Sequence, residues 1–289
     1  MNSIYFFTIA TNTYKEYLNK FVKSLDNCFP DNDKKLIVIS DKDYINNINN
    51  IYTYNYHICD TNYALCALQK YTYIYDSIQY LQLKLKKNDL IFFCDVDSYF
   101  IEKSKSYWNK IYNSIIKYDI CISIFPWNYN DTNKYRVMKK YKNIPSIAQI
   151  NKFRYNLLCA SFLIAKPFWF NKIYKLVDLL TAYDMANLQN GCRIIPELPE
   201  QEYLNKIIQE NIINTNNIWV DYFQIISNDI FLQEKHKTLN DFLENNEYIF
   251  SIKDYDPTIK LKNIKRNLSK SNIMQFIKNE SNNNSNDNT

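Results

Sequence analysis

A chain with a single glycine, Gly191, in 289 residues can bring its backbone close to a ligand at hardly any point. At average usage, roughly 7%, a chain of this length would hold about 20. The dinucleotide fingerprint, the phosphate loop and the kinase glycine-rich loop all need glycines so that backbone amides can reach phosphate. None of them can be built here. A nucleotide bound by such a chain must have its charge neutralised by a metal ion and by Lys or Arg side chains.

With 46% apolar and 22% charged residues, the length suits one large domain or two tightly joined ones. The 26 tyrosines and the recurrent Asn, Ile and Lys read first as coding bias. The excess of 35 basic over 30 acidic residues is mild and falls largely in the last forty residues, so no nucleic-acid partner is expected. Seven cysteines at 28, 59, 66, 94, 121, 159 and 192 form no Cys-x-x-Cys pair, which fits a reduced compartment. Two histidines, His57 and His236, argue against a His-rich zinc site. Ile4 to Thr11 is short and lacks a basic flank, so it reads as a buried strand and not as a signal peptide or membrane span. The expectation is a soluble, cytoplasmic or otherwise intracellular protein with no transmembrane segment.

Strand and helix signals alternate through the N-terminal half. Ile4–Thr11 is an apolar strand, and Asn12-Thr13 can cap a helix with Tyr14, Leu18, Phe21, Val22 and Leu25 on one face. Leu36–Ile39 is a second strand, and Thr53–Cys59 a weaker third. Tyr71, Ile74, Tyr75, Ile78, Leu81 and Leu85 predict a long helix stopped by Lys86-Lys87-Asn88, followed by a continuous apolar strand over Leu90–Cys94. This alternation predicts an α/β fold, a mostly parallel sheet with helices on both faces. Beyond Phe125 the pattern stops, and residues 126–155 are polar, aromatic and basic around Trp127. An apolar run from Asn156 to Ala165, a helix carrying Ile173, Leu176, Val177 and Leu180, a helix from Glu202 to Gln209 and a strand near Ile218–Val220 complete the domain. One domain is expected over residues 1–240. Residues 241–289 form a basic C-terminal segment whose Asn/Ser tail, from about 275, is expected to be disordered.

The sharpest feature is Asp95-Val96-Asp97 at the end of the Leu90–Cys94 strand. Carboxylates at the carboxyl edge of a parallel sheet stand where α/β proteins bind ligands. Alternate strand residues point the same way, so Asp95 and Asp97 can share one hard cation, Mn²⁺ or Mg²⁺. That ion would grip a diphosphate.

Several segments in order resemble retaining family 6 glycosyltransferases, the α-1,3-galactosyl- and N-acetylgalactosaminyltransferases of the GT-A type. They are Thr8–Leu18, Ala67–Tyr71, Asp95-Val96-Asp97, Cys159–Ala165, Asp184-Met185-Ala186-Asn187 and Glu200–Lys206. The resemblance implies a GT-A fold, a Rossmann-like mixed, mostly parallel sheet flanked by helices. It implies transfer of a hexose from a UDP-sugar to a saccharide or glycoconjugate acceptor with retention, using Mn²⁺ or Mg²⁺. It assigns metal to Asp95 and Asp97, and the nucleotide to Ile9, Ala10, Thr11, Tyr14 and Lys70, with Lys260 and Lys262 closing over the diphosphate. Cys159, Ala160 and Ser161, with Asp95, would line the donor-sugar pocket, and Glu200 and Gln201 would carry catalysis.

Three departures refine this. Gln201 stands where the family has its catalytic Glu, Glu200 where it has an Asp, and Leu198 where it has an acceptor-site Trp. An amide is no carboxylate nucleophile, which favours front-face displacement over a covalent intermediate. Glu200-Gln201-x-x-Leu204-Asn205 is also similar to the Asp-Gln-x-x-Leu-Asn motif of family 8, whose donors would be UDP-glucose or UDP-N-acetylglucosamine. The other alternative is a GT-A binding protein that has lost catalysis. Plainer readings stand beside each site residue: Lys70 as a helix-surface lysine, Tyr14 as a core residue, Glu200–Glu202 as a solvated helix start, and Cys159–Ser161 as a packed strand. Ser161, larger than Gly, leans the pocket towards a plain hexose over an N-acetylated sugar, a margin of about 1–3 kcal/mol.

Overall fold

In a computed structural model, residues 2–26, 34–42, 52–59, 63–99, 112–113, 115–124, 146–148, 150, 158–189, 199–213, 218–221, 225–226 and 251–253 are described. The apolar runs become the strands β1 (Ile4–Ile9), β2 (Lys34–Ser40), β3 (Tyr52–His57), β4 (Leu90–Cys94), β6 (Ile120–Ile124), β7 (Leu158–Ala165) and β8 (Ile218–Asp221) of one sheet. Its order is β3-β2-β1-β4-β7-β6-β8. β1 to β4 are mutually parallel, β8 is parallel to β6, and β7 runs antiparallel between β4 and β6. A second small sheet joins β5 (Ser98–Tyr99) to β10 (Ser251–Lys253) and β9 (Ile225–Ile226). The C-terminal segment thus pairs with the chain just after Asp97.

Both faces of β1, β2, β4 and β7 are covered, which is why these strands read as near-continuous apolar runs and not as alternating ones. On one face Phe6, Leu36 and Phe92 pack against Leu18, Phe21 and Val22 of α1 (Lys15–Asp26). On the other, Phe7, Ile37 and Phe93 pack against α3 (Lys70–Tyr80), α4 (Pro167–Gln189) and α5 (Pro199–Gln209), through residues such as Tyr71, Ile173 and Leu204. A short α2 (Tyr63–Leu68) precedes α3. Each fully buried Phe of this core stabilises by ~1.5–3 kcal/mol. Among the described residues no helix is long and apolar enough to cross a membrane.

The winding reverses next to β1. The chain moves outward to β2 and β3, then returns to β4 on the other flank of β1. The carboxyl ends of β1 and β4 therefore bound a topological switch point, the crevice where open α/β sheets take ligands.

The third helix is shorter than the apolar spacing predicts, and Leu81 and Leu85 lie beyond it. The helix ends in a Schellman motif: Leu83 N–H donates to Ile78 O at 3.1 Å, and Gln82 N–H to Gln79 O at 3.1 Å. The closing residue, Gln82, has φ 51°. α5 ends the same way, with Ile212 N–H to Ile207 O and Asn211 N–H to Ile208 O, and Asn211 at φ 58°. Positions that usually take glycine are filled here by Gln and Asn. Gln82→Gly should therefore raise unfolding free energy by roughly 1 kcal/mol, the strain of a side chain in the left-handed region. Urea midpoints read it, and no gain would show that Gln82 is held by contacts that outweigh its backbone strain.

Candidate functional site

β4 ends at Cys94, and the next four residues turn: Ser98 N–H donates to Asp95 O at 3.0 Å. The expectation that Asp95 and Asp97 project from an extended strand is corrected by this turn, which replaces strand alternation as what places the two carboxylates. The reason is the partner strand, since Asp95 N–H still bonds Ser161 O at 3.1 Å while the following residues leave the ladder to start β5. Asp97 is buried, and the Asp95 side chain is 23% exposed.

Lys70, the first residue of α3, is buried, so it is no surface lysine. Its ammonium lies 3.3 Å from Asp95 Oδ1, 3.3 Å from Glu200 Oε1 and 3.4 Å from Ala160 O, and 4.8 Å over the Phe93 ring. Three elements, the acidic turn, β7 and α5, meet at this one cation. Glu200, Gln201 and Glu202, in the first turn of α5, are buried and not a solvated helix start. Glu200 Oε2 has no hydrogen-bond partner among the described residues. The hydroxyl of Tyr71 beside it is in the same condition, and burial pushes it well above the ordinary tyrosine range.

Why β7 needs these side chains follows from its register. Ile122 pairs with Leu163 but Ser123 with Cys159, so the ladder to β6 skips Ala160–Phe162. The alternation inverts across this bulge: Phe162 and Ile164 face the α1 layer, whereas Leu158 and Ala160 face the other. The Ala160 amide, freed by the bulge, and the backbone groups of Leu158, beyond the end of β4, are taken up by side chains. Ala160 N–H donates to Gln201 Oε1 at 3.4 Å. Leu158 donates to Asn205 Oδ1 and accepts from Asn205 Nδ2, both at 2.9 Å. Gln201 and Asn205, one turn apart on α5, bind the bulge as a strand would. Their i,i+4 spacing is the sequence signal of a shared face. Cys159 Sγ and Ser161 Oγ lie 2.8 Å apart, both buried.

At the end of β1, Ala10 N–H donates to Ile39 O at 2.9 Å and Ala10 O accepts from Ser40 Oγ at 2.6 Å, so its backbone is held by β2. Thr11 is buried, Ile9 is half-buried, and Tyr14 packs against the α1-side core with its ring 6.1 Å from Tyr17. The structure therefore brings Lys70, Asp95, Ala160, Glu200 and Gln201 into direct contact, with Asp97 in the adjoining turn. Lys260, Lys262 and Trp127 lie outside the described residues.

Asp184, from the Asp-x-Ala-Asn segment, is fully buried behind the site. It accepts from Ser146 Oγ, from Ile147 N–H at 3.0 Å and from Tyr203 O–H at 2.8 Å, clamping residues 146–148 to α4 and α5. Burial, and then the Asp184 carboxylate, hold the Tyr203 hydroxyl protonated far above its ordinary range. Its role is structural, which spacing alone does not reveal.

Asp95, Asp97 and Glu200 against the Lys70 ammonium leave two negative charges. No three His, Cys, Asp or Glu side chains converge as a cage among the described residues. Ions of the Mg²⁺ class need only one or two carboxylates when phosphate oxygens and water complete the shell. The donor set at the acidic turn fits such an ion. Compared with known proteins, the chain matches no family model and no curated protein.

Proposed function

We propose that the chain is a metal-dependent glycosyltransferase of the GT-A type, moving a hexose from a UDP-sugar to a saccharide acceptor with retention. The observation that carries this reading is the acidic turn at the switch point between β1 and β4, in a chain without glycines for a phosphate loop. Asp95 and Asp97 would hold Mn²⁺ or Mg²⁺, which supplies charge neutralisation for the diphosphate when bound. Ala10, Thr11 and Tyr14 border the same crevice from the β1 side and suit the base and ribose.

Glu200 supplies the carboxylate nearest the reacting sugar. Gln201 accepts the Ala160 amide proton and so holds the strand that carries Ser161. An amide committed in this way acts by shape and dipole, which supports front-face displacement over a covalent adduct on that residue. The test is UDP release from a panel of UDP-glucose, UDP-galactose and their N-acetylated counterparts, with Mn²⁺. Turnover of a plain hexose donor is expected, faster than of the N-acetylated sugars. Metal-dependent UDP binding without release from any donor would leave a binding protein, and no UDP binding at all would defeat the proposal.

A further inference from the structure

An ammonium carries three N–H donors and no acceptor, and among the described residues Lys70 already meets three acceptors of the protein: Asp95 Oδ1, Glu200 Oε1 and Ala160 O. The position is otherwise hostile to a positive charge. Lys70 is buried, which disfavours the charged form, and it stands in the first turn of α3, at the positive end of the helix dipole. The Asp95 and Glu200 carboxylates offset that cost. The three acceptors also come from elements far apart in sequence, 25, 90 and 130 residues away.

We infer that Lys70 is a positioning residue and not a nucleotide contact. It locks Glu200 by one carboxylate oxygen, leaving buried Oε2 to accept a hydroxyl of the bound sugar, and fixes the acidic turn and the β7 bulge around it. The assignment of that hydroxyl to a donor sugar rests on the function proposed above; the lock itself does not. A phosphate contact would require the ammonium to give up one of its internal partners.

Two measurements on the full chain test this separately. Lys70→Met, Glu200→Gln and the double variant are compared by thermal unfolding without ligand. Lys70→Met takes the cation away from Glu200 and Asp95, and Glu200→Gln takes one carboxylate partner from Lys70, so each midpoint should fall by about 2–4 °C or more, and the double by clearly less than the sum. Additive losses would overturn the lock. UDP is then titrated with Mn²⁺ into wild type and Lys70→Met, and donor hydrolysis is followed in both. A positioning role predicts a UDP dissociation constant and donor KM within about threefold of wild type, with kcat down roughly 100-fold from a misplaced carboxylate. A tenfold or greater loss of UDP affinity, about 1.4 kcal/mol, with kcat retained would return Lys70 to the nucleotide. If wild type binds no UDP, the glycosyltransferase reading falls, and the thermal cycle alone still upholds or overturns the lock.

Discussion

Asp97→Asn should abolish divalent-dependent binding of UDP, and donor turnover with it. The side chain is buried in the turn that follows β4, and an amide of the same size keeps its shape while removing the charge a hard cation requires. With Mn²⁺ present, affinity for UDP should drop roughly 100-fold or more, about 2.7 kcal/mol. Folding should suffer little, because the amide fills the same space and the Asp95 and Glu200 carboxylates around Lys70 are untouched. Calorimetric titration of UDP into both proteins, with Mn²⁺ and again with EDTA, measures the effect. EDTA should reduce the wild type to the level of the variant. Undiminished tight binding by the wild type in EDTA would mean that the acidic turn holds no metal, and that the nucleotide, if bound, is gripped by other charges.

The elements of the switch point were open to a reading of the residues, because each carries a strong periodic or continuous apolar signal. β1, β2 and β4 are buried on both faces, and their uninterrupted runs announce it; α1 shows its face through Leu18, Phe21, Val22 and Leu25. What stayed hidden is set by pairing across long sequence distances. Nothing in Leu158–Ala165 distinguishes an antiparallel strand from a parallel one, and the bulge that releases Ala160 depends on the register against β6. The true end of α3 was hidden for a different reason, since Gln82 takes a conformation that sequence rules reserve for glycine. Within the site, the acidic pair announced itself but its geometry did not, because the alternation of an extended strand gives way to a turn after Cys94. The burial of Lys70 was equally illegible. A lysine that opens a helix normally points to water, whereas here Asp95 and Glu200, 105 positions apart in the chain, meet at a buried ammonium and stabilise it.

The largest expected loss of stability belongs to Asn205. Fully buried on α5, it accepts from Leu158 N–H and donates to Leu158 O and, at 2.8 Å, to Gln201 O. It thereby stands in for a neighbouring strand beyond the end of β4, whose ladder with β7 stops at Phe162 while Leu158 stays paired with Ile124 of β6. Asn205→Leu keeps the branched outline and the number of side-chain heavy atoms and removes every one of these bonds, leaving the amide and carbonyl of Leu158 buried without partners. At about 1–3 kcal/mol for each orphaned group, the unfolding free energy should fall by about 3–5 kcal/mol. Asn205→Asp separates the donor from the acceptor contribution. The carboxylate can still accept from Leu158 N–H but faces Leu158 O with no proton to give. Burial against a carbonyl raises the folded-state pKa of the new carboxyl above its unfolded value near 3.9. Stability is then fullest at low pH and is lost as pH rises through the folded pKa, so this variant should unfold more easily at pH 7 than at pH 5 relative to wild type. Urea midpoints at the two pH values measure both effects. Since α5 also carries Glu200, any donor turnover should fall in both variants before the fold is lost. A Leu variant within 1 kcal/mol of wild type, a small fraction of a domain's marginal stability, would show that water or a backbone shift can satisfy the bulge, and that α5 is held to β7 by its apolar face alone.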